Sequence, residues 1–197
     1  MGSEPLTSSG ASSACGTALP VYRYRMAVTH DTHNYWFRTP QGRRAEVVLV
    51  IRRRNGCYLV HTKAFYPPGC YRLMTGGVEP GEEPNSAALR EAYEETGLQV
   101  VLIRALARID YVFHYEDETL PFTSYLYLLQ EQGGDLAVRD EDEDITDFHE
   151  VTLDDLPLLA DQLEALQGDS WADWGRFRAP AHRITYQLLV QNNVANL

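Results

Sequence analysis

Apolar and polar side chains begin to alternate at Val21 and keep the period of two through residue 28, which predicts a strand. Two longer apolar runs, residues 45–51 and 57–62, are separated by Arg52-Arg53-Arg54-Asn55-Gly56. Asn55-Gly56 supplies the positive φ angles of a type I′ turn, so the two runs are predicted to pair as a hairpin, with the arginines at its solvated end. Residues 71–74 read as a short strand between the Pro67-Pro68-Gly69 loop and Thr75-Gly76-Gly77. Over Pro84–Thr96 the pattern is helical, with proline in the first turn and Gly97 where a helix ends in the left-handed conformation. Runs rich in β-branched and aromatic residues follow at 100–106, 109–114 and 122–129, and 148–153 is a further candidate strand. Residues 154–166 and 181–191 are predicted as helices, the second beyond a loop holding Trp171 and Trp174. This order of elements predicts an α/β or α+β protein, with helices packed on a mixed sheet.

Residues 1–20 are rich in Ser, Gly and Ala and carry neither a basic segment nor a continuous apolar core of a leader. They are expected to form a disordered extension before a single domain spanning 21–197. No apolar run reaches the roughly 18 residues of a membrane span. Three cysteines, at positions 15, 57 and 70, form no C-x-x-C pair, which indicates neither a disulfide framework nor a zinc site and makes a reducing cytoplasm the default location.

Charge sharpens the picture. Seventeen Lys and Arg against 28 Asp and Glu leave a formal charge of −11, opposite to the basic field that duplex nucleic acid selects. A phosphorylated ligand therefore needs local basic groups or bound cations. Glu91, Glu94 and Glu95 stand within a sector of about 100° on the predicted helix, with Leu89, Tyr93 and Thr96 on the other side, expected to face the core. Such a carboxylate cluster suits Mg²⁺ or Mn²⁺, which take oxygen ligands. Arg90 is placed to hold Glu94 and to reach Glu82 with its guanidinium fork, and Gly76 and Gly77 let the backbone come close to a metal or phosphate. Five acids at 140–144 form a secondary candidate, more ordinary as a solvated loop.

Gly76, Glu82, Arg90, Glu91, Ala92, Glu94, Glu95, Gly97 and Leu98 match the pattern G-x5-E-x7-R-E-U-x-E-E-x-G-U, with Ala92 small at a position where a bulkier aliphatic is usual. On these residues the chain resembles the Nudix hydrolases. The resemblance implies an α/β/α sandwich and metal-assisted hydrolysis of a nucleoside diphosphate linked to another moiety. It implies that Glu91, Glu94 and Glu95 are metal ligands, Gly76 a carbonyl ligand, and Arg90 with Glu82 an orienting pair; Glu91 is alternatively the general base. Some members place the base outside the pattern, and Glu116, Glu118, Glu143 and Asp144 are candidates here. Arg72 and Lys63 are the basic residues best placed to meet phosphate, with plain surface charge as the other reading; Tyr115 is a third substrate-binding candidate. The expected partner is a small nucleotide, and dimerisation, which is common in the family, would use the first strand and the 171–178 segment. A nucleotide-sensing module on the same fold is the alternative function, which retention of all three glutamates disfavours.

Overall fold

The computed structural model describes residues 18–37, 44–139 and 144–194 of the chain. Its centre is β2 (Ala45–Arg52), buried from Glu46 through Ile51. Successive side chains of a strand point to opposite faces, so a run buried throughout needs cover on both. Val47, Leu49 and Ile51 belong to one apolar cluster with Ala88 and Ala92 of α2 (Pro84–Thr96). Val48 and Val50 join the other, with Leu156 of α3 (Asp155–Glu164) and Ala181 and Ile184 of α4 (Asp169–Val194).

The seven-stranded sheet runs in the order β1 (Val21–Ala27), β5 (Gln99–Tyr115), β6 (Glu118–Gly133), β2, β3 (Tyr58–Lys63) and β7 (Ile145–Val151), with β4 (Met74–Gly77) paired to β2. β1 lies parallel to β5 and β2 parallel to β6, while the remaining pairs are antiparallel. The result is a mixed sheet with helices on both faces, the expected α/β/α sandwich. A short helix, α1 (His30–Trp36), follows β1. Its N-terminus has no side-chain cap of its own; Asp173 of α4 accepts hydrogen bonds from the Thr29 amide and hydroxyl at 2.7 and 2.8 Å and ties the two helices together.

Several expectations are corrected. The β2–β3 hairpin forms, but Gly56 alone in its turn has a positive φ, and the Gly56 amide donates to the Arg53 carbonyl. This is a three-residue connection closed by a left-handed glycine, so Asn55 is spared a strained conformation. The runs 100–106 and 109–114 are one strand, β5, whose register shifts at Leu102/Arg104 and Ala105/Ala107 absorb the break in alternation. Residues 171–178 are the opening turns of α4, because Trp171, Trp174 and Phe177 recur at the spacing of one helical face. Pro180 lies inside that helix. On α2 the faces are also reversed in part: Leu89 and Tyr93 are exposed, whereas Glu91 and Glu95 are buried beside Ala87, Ala88 and Ala92. The helix meets the sheet through alanines, and so close an approach leaves no room for Leu or Tyr.

Candidate active site

β4 delivers Gly76 and Gly77 to the N-terminal side of α2, and the 78–83 loop folds back so that the side chain of Glu82 meets that helix. Arg90 joins these parts. Its Nε and Nη2 donate to Glu82 at 2.9 and 2.8 Å, and Nη1 donates to Glu91 at 2.9 Å and Glu94 at 2.8 Å. Nη2 also reaches the Gly77 carbonyl at 3.0 Å. These five bonds match the five N–H donors of a guanidinium. The Arg90 hydrogen bonds, and after them the Glu79 amide, hold the Glu82 carboxyl down to about 2. Arg90 thereby fixes two carboxylates, Glu91 and Glu94, beside the glycine pair.

Gly76 is required by the approach of Glu91: a Cβ at position 76 would overlap the Glu91 carboxylate. The groups that Arg90 gathers here, the Glu91 and Glu94 carboxylates and the Gly77 carbonyl, are all oxygens, the set that Mg²⁺ and Mn²⁺ take. The chemistry of these residues fits such an ion. Among the described residues no three acidic, imidazole or thiol groups converge at metal-holding distance, Arg90 being the positive group between Glu91 and Glu94.

These residues form one wall of a cleft of about 890 Å³. The opposite wall comes from α4, with Trp171, Trp174, Phe177 and Arg178, and from Trp36 of α1. Arg178 pairs with Glu46 of β2 at 2.7 Å, and the Ser124 hydroxyl donates to the same carboxylate at 2.7 Å. Further in, the Leu73 amide donates to His182 Nε2 at 2.9 Å, which makes Nδ1 the protonated nitrogen, donating to the Arg178 carbonyl at 3.1 Å. Burial first, and the nearby arginines after it, push the His182 imidazole down to about 3, so it is a neutral link between α4 and the strand that carries the glycines.

The sequence-predicted residues divide. Gly76, Arg90, Glu91 and Glu94 line the cleft together with Lys63, Arg72 and Asp144. Glu82 lies behind Arg90. Glu95 is fully buried, and its charge favours the charged form of Arg72. Arg72 is no surface charge: it is buried at the back of the cleft and donates to the Tyr66 hydroxyl, the Leu73 carbonyl and the Thr75 hydroxyl. Tyr115 stacks on His33 with ring centroids 4.5 Å apart and is not brought into the cleft. Glu118 bonds to His33, Glu116 lies at the β5–β6 turn, and neither lines the cleft. Glu143, the other acids at 140–142, Cys15 and most of the expected N-terminal extension fall outside the described residues. Sequence reasoning missed Glu46, although a single acid inside the apolar run 45–51 was a signal for it. Arg178 gave none, since its partner lies 132 positions away.

A mixed sheet between helical layers, with a carboxylate-rich loop and helix along one wall of a cleft, defines the class of this molecule. The family profile described as NUDIX domain matches residues 33–172, and the chain belongs to that family. It is 30% identical over 115 residues to the NAD-capped RNA hydrolase NudC of Chromobacterium violaceum, covering 57% of this chain and 39% of that protein. It is 39% identical over 69 residues to an RNA pyrophosphohydrolase of Bartonella henselae, covering 35% of this chain and 37% of that one. The chain thus spans well under half the length of these curated relatives. A solved structure of a NUDIX hydrolase from Nitrosomonas europaea superposes with a TM-score of 0.51 at 16% identity, over 73% of this chain and 88% of that one, a likeness of fold. No helix among the described residues is long and apolar enough to cross a membrane.

Proposed function

We propose that this chain hydrolyses a pyrophosphate linkage in a nucleoside diphosphate joined to a further group, with Mg²⁺ or Mn²⁺ as the cofactor. The observation that carries the reading is the Arg90 fork, which presents Glu91 and Glu94 side by side against the Gly76–Gly77 backbone at the cleft wall. In this reading Glu91, Glu94 and the Gly76 carbonyl hold the cation, with Glu95 adding negative charge from behind. A bound divalent cation supplies charge neutralisation at the phosphates and lowers the pKa of a water. Glu82 and Arg90 orient the ligands and do not touch substrate. Asp144, on the cleft wall, takes a proton from the attacking water, while Lys63 faces the departing phosphate's charge. The aromatic far wall excludes solvent and receives the organic part of the substrate.

The test is turnover of a nucleotide panel with Mg²⁺ or Mn²⁺, run beside Glu94→Gln. Substituting one carboxylate that holds transition-state charge costs about 3 kcal/mol, so a fall in kcat of about a hundredfold or more is expected. Full activity of Glu94→Gln, or turnover by the wild type in excess chelator, would overturn the reading.

A further inference from the structure

Aromatic side chains line the cleft at two separate places. At one, Trp171 and Trp174 of α4 meet edge to face at 5.2 Å, Tyr66 lies 4.9 Å from Trp174, and Phe65 lies 5.0 Å from Tyr66. Phe65 is 59% exposed, an apolar ring held at the cleft wall rather than in the core. At the other, Phe177 meets Trp36 at 5.3 Å and Phe122 at 5.5 Å. Here the cleft adjoins a pocket of about 170 Å³ that shares those three rings and is flanked by Arg44 and Arg178. Arg178 lies over the Phe177 ring at 4.4 Å.

The two places are held apart by the backbone. From Trp171 to Phe177 the α4 axis advances about 9 Å at 1.5 Å per residue. Strand order separates them in the same sense. Phe122 is on β6, which flanks β2 on one side. Phe65 and Tyr66 follow β3 on the other side. Between them stands β4 with the glycine pair, joined to β2 along its length and to β3 through the Arg72–His61 pairing. The carboxylate wall therefore faces the middle of a cleft with an aromatic surface at each end.

Building on the pyrophosphohydrolase reading, we propose that the substrate is a dinucleotide, two nucleobases joined through a pyrophosphate or longer polyphosphate. One base occupies the pocket of Trp36, Phe122 and Phe177. The second stacks on the open wall of Phe65 and Trp171. Stacking on aromatic faces serves any base, because every base has a π-face. A substrate with one base and a sugar at its other end leaves the Phe65 wall bare.

A matched pair of substrates tests this: diadenosine diphosphate and ADP-ribose share one adenosine and the pyrophosphate and differ by the second adenine. With Mg²⁺, kcat/KM is expected to be at least tenfold higher for the diadenosine compound. Phe65→Ala, at an exposed position, is expected to bring that ratio down toward one, and Phe65→Trp to restore it; Trp171→Leu gives a second reading of the same wall. Phe122→Ala lowers both values in proportion and leaves the ratio. Equal use of the two substrates by the wild type, or a ratio unmoved by Phe65→Ala and Trp171→Leu, would overturn the proposal while the hydrolase reading stands. If neither compound is cleaved, the panel and Glu94→Gln still decide the hydrolase reading, and calorimetric binding of the same pair decides this one: at least tenfold tighter binding of the two-base compound, lost in Phe65→Ala, supports the wall, and equal binding overturns it.

Discussion

The two walls of the cleft are assembled over different ranges of the chain. On one, Gly77, Glu82, Arg90, Glu91 and Glu94 lie on one continuous strand, loop and helix, and one guanidinium ties them with local hydrogen bonds. On the other, Glu46, Ser124, Arg178 and His182 come from β2, β6 and α4, and burial holds them as much as charge does. Local charge suits groups that must keep their geometry while binding an ion. A wall built from distant elements can change its side chains without disturbing that geometry, which is where substrate choice is best placed.

If the walls differ in this way, a single substitution on the distal wall should cost more stability than one on the local wall. Arg178→Ala strands Glu46, which has a side chain only 10% exposed. Removing one partner of a buried pair costs roughly 3–5 kcal/mol, and the partial exposure here points to the lower end. Denaturant unfolding is expected to show a loss of about 3 kcal/mol, most of it recovered when Glu46 is also made Leu. A loss below 1 kcal/mol would mean that the distal wall does not depend on this pair.

The local wall should respond in activity more than in stability. Arg90→Lys keeps the charge but replaces a five-donor fork by a point charge, so Glu82, Glu91, Glu94 and the Gly77 carbonyl can no longer all be held. Unfolding free energy is expected to fall by about 1–2 kcal/mol, from hydrogen bonds to charged groups. The value of kcat is expected to fall tenfold or more with KM little changed, the mark of ligands mispositioned in the transition state. A change confined to KM would place Arg90 on the substrate instead.

This difference in range also decides what could be read in advance. Pro84 and Gly97 bracket α2, and the spacing of Arg90, Glu91 and Glu94 needs only helical geometry, so the local wall was legible residue by residue. The sandwich was legible in the order of strands and helices, and β2, apolar from Val47 through Ile51, agrees with it. Which face α2 buries was not, since it depends on how closely Ala88 and Ala92 let the helix approach β2, a tertiary matter. Arg72 illustrates the same limit: its partner Tyr66 is near in sequence, but its burial comes from Trp174 and from α4 closing over it. The aromatic wall stayed hidden for a simpler reason. Pro180 and the two tryptophans read as a loop, and only the packed structure shows that helix α4 begins before them.

Falling pH should separate the walls by titration, with the most specific signature. His182 in the folded protein resists protonation down to about 3, because burial and neighbouring arginines oppose it, whereas an unfolded histidine takes a proton near 6.5. The unfolded state then binds more protons, so the contribution of His182 is complete above pH 6.5 and is lost progressively as pH falls toward 3. Glu82 is also depressed, from 4.5 to about 2, by Arg90. Its contribution is complete above pH 4.5 and is lost only between there and 2. Urea unfolding from pH 7.5 to 3 should therefore show a decline beginning near 6.5 that is smaller in His182→Asn, the remainder coming from His61, which burial and Arg72 also hold well below its ordinary value. A second decline, beginning near 4.5, should be smaller in Glu82→Gln, with Glu131 and Asp173, also depressed, supplying the rest. Each slope is bounded by about 1.4 kcal/mol per pH unit per proton. A His182→Asn protein that kept the whole upper decline would assign it to another histidine and remove His182 as the neutral link between α4 and the glycine strand.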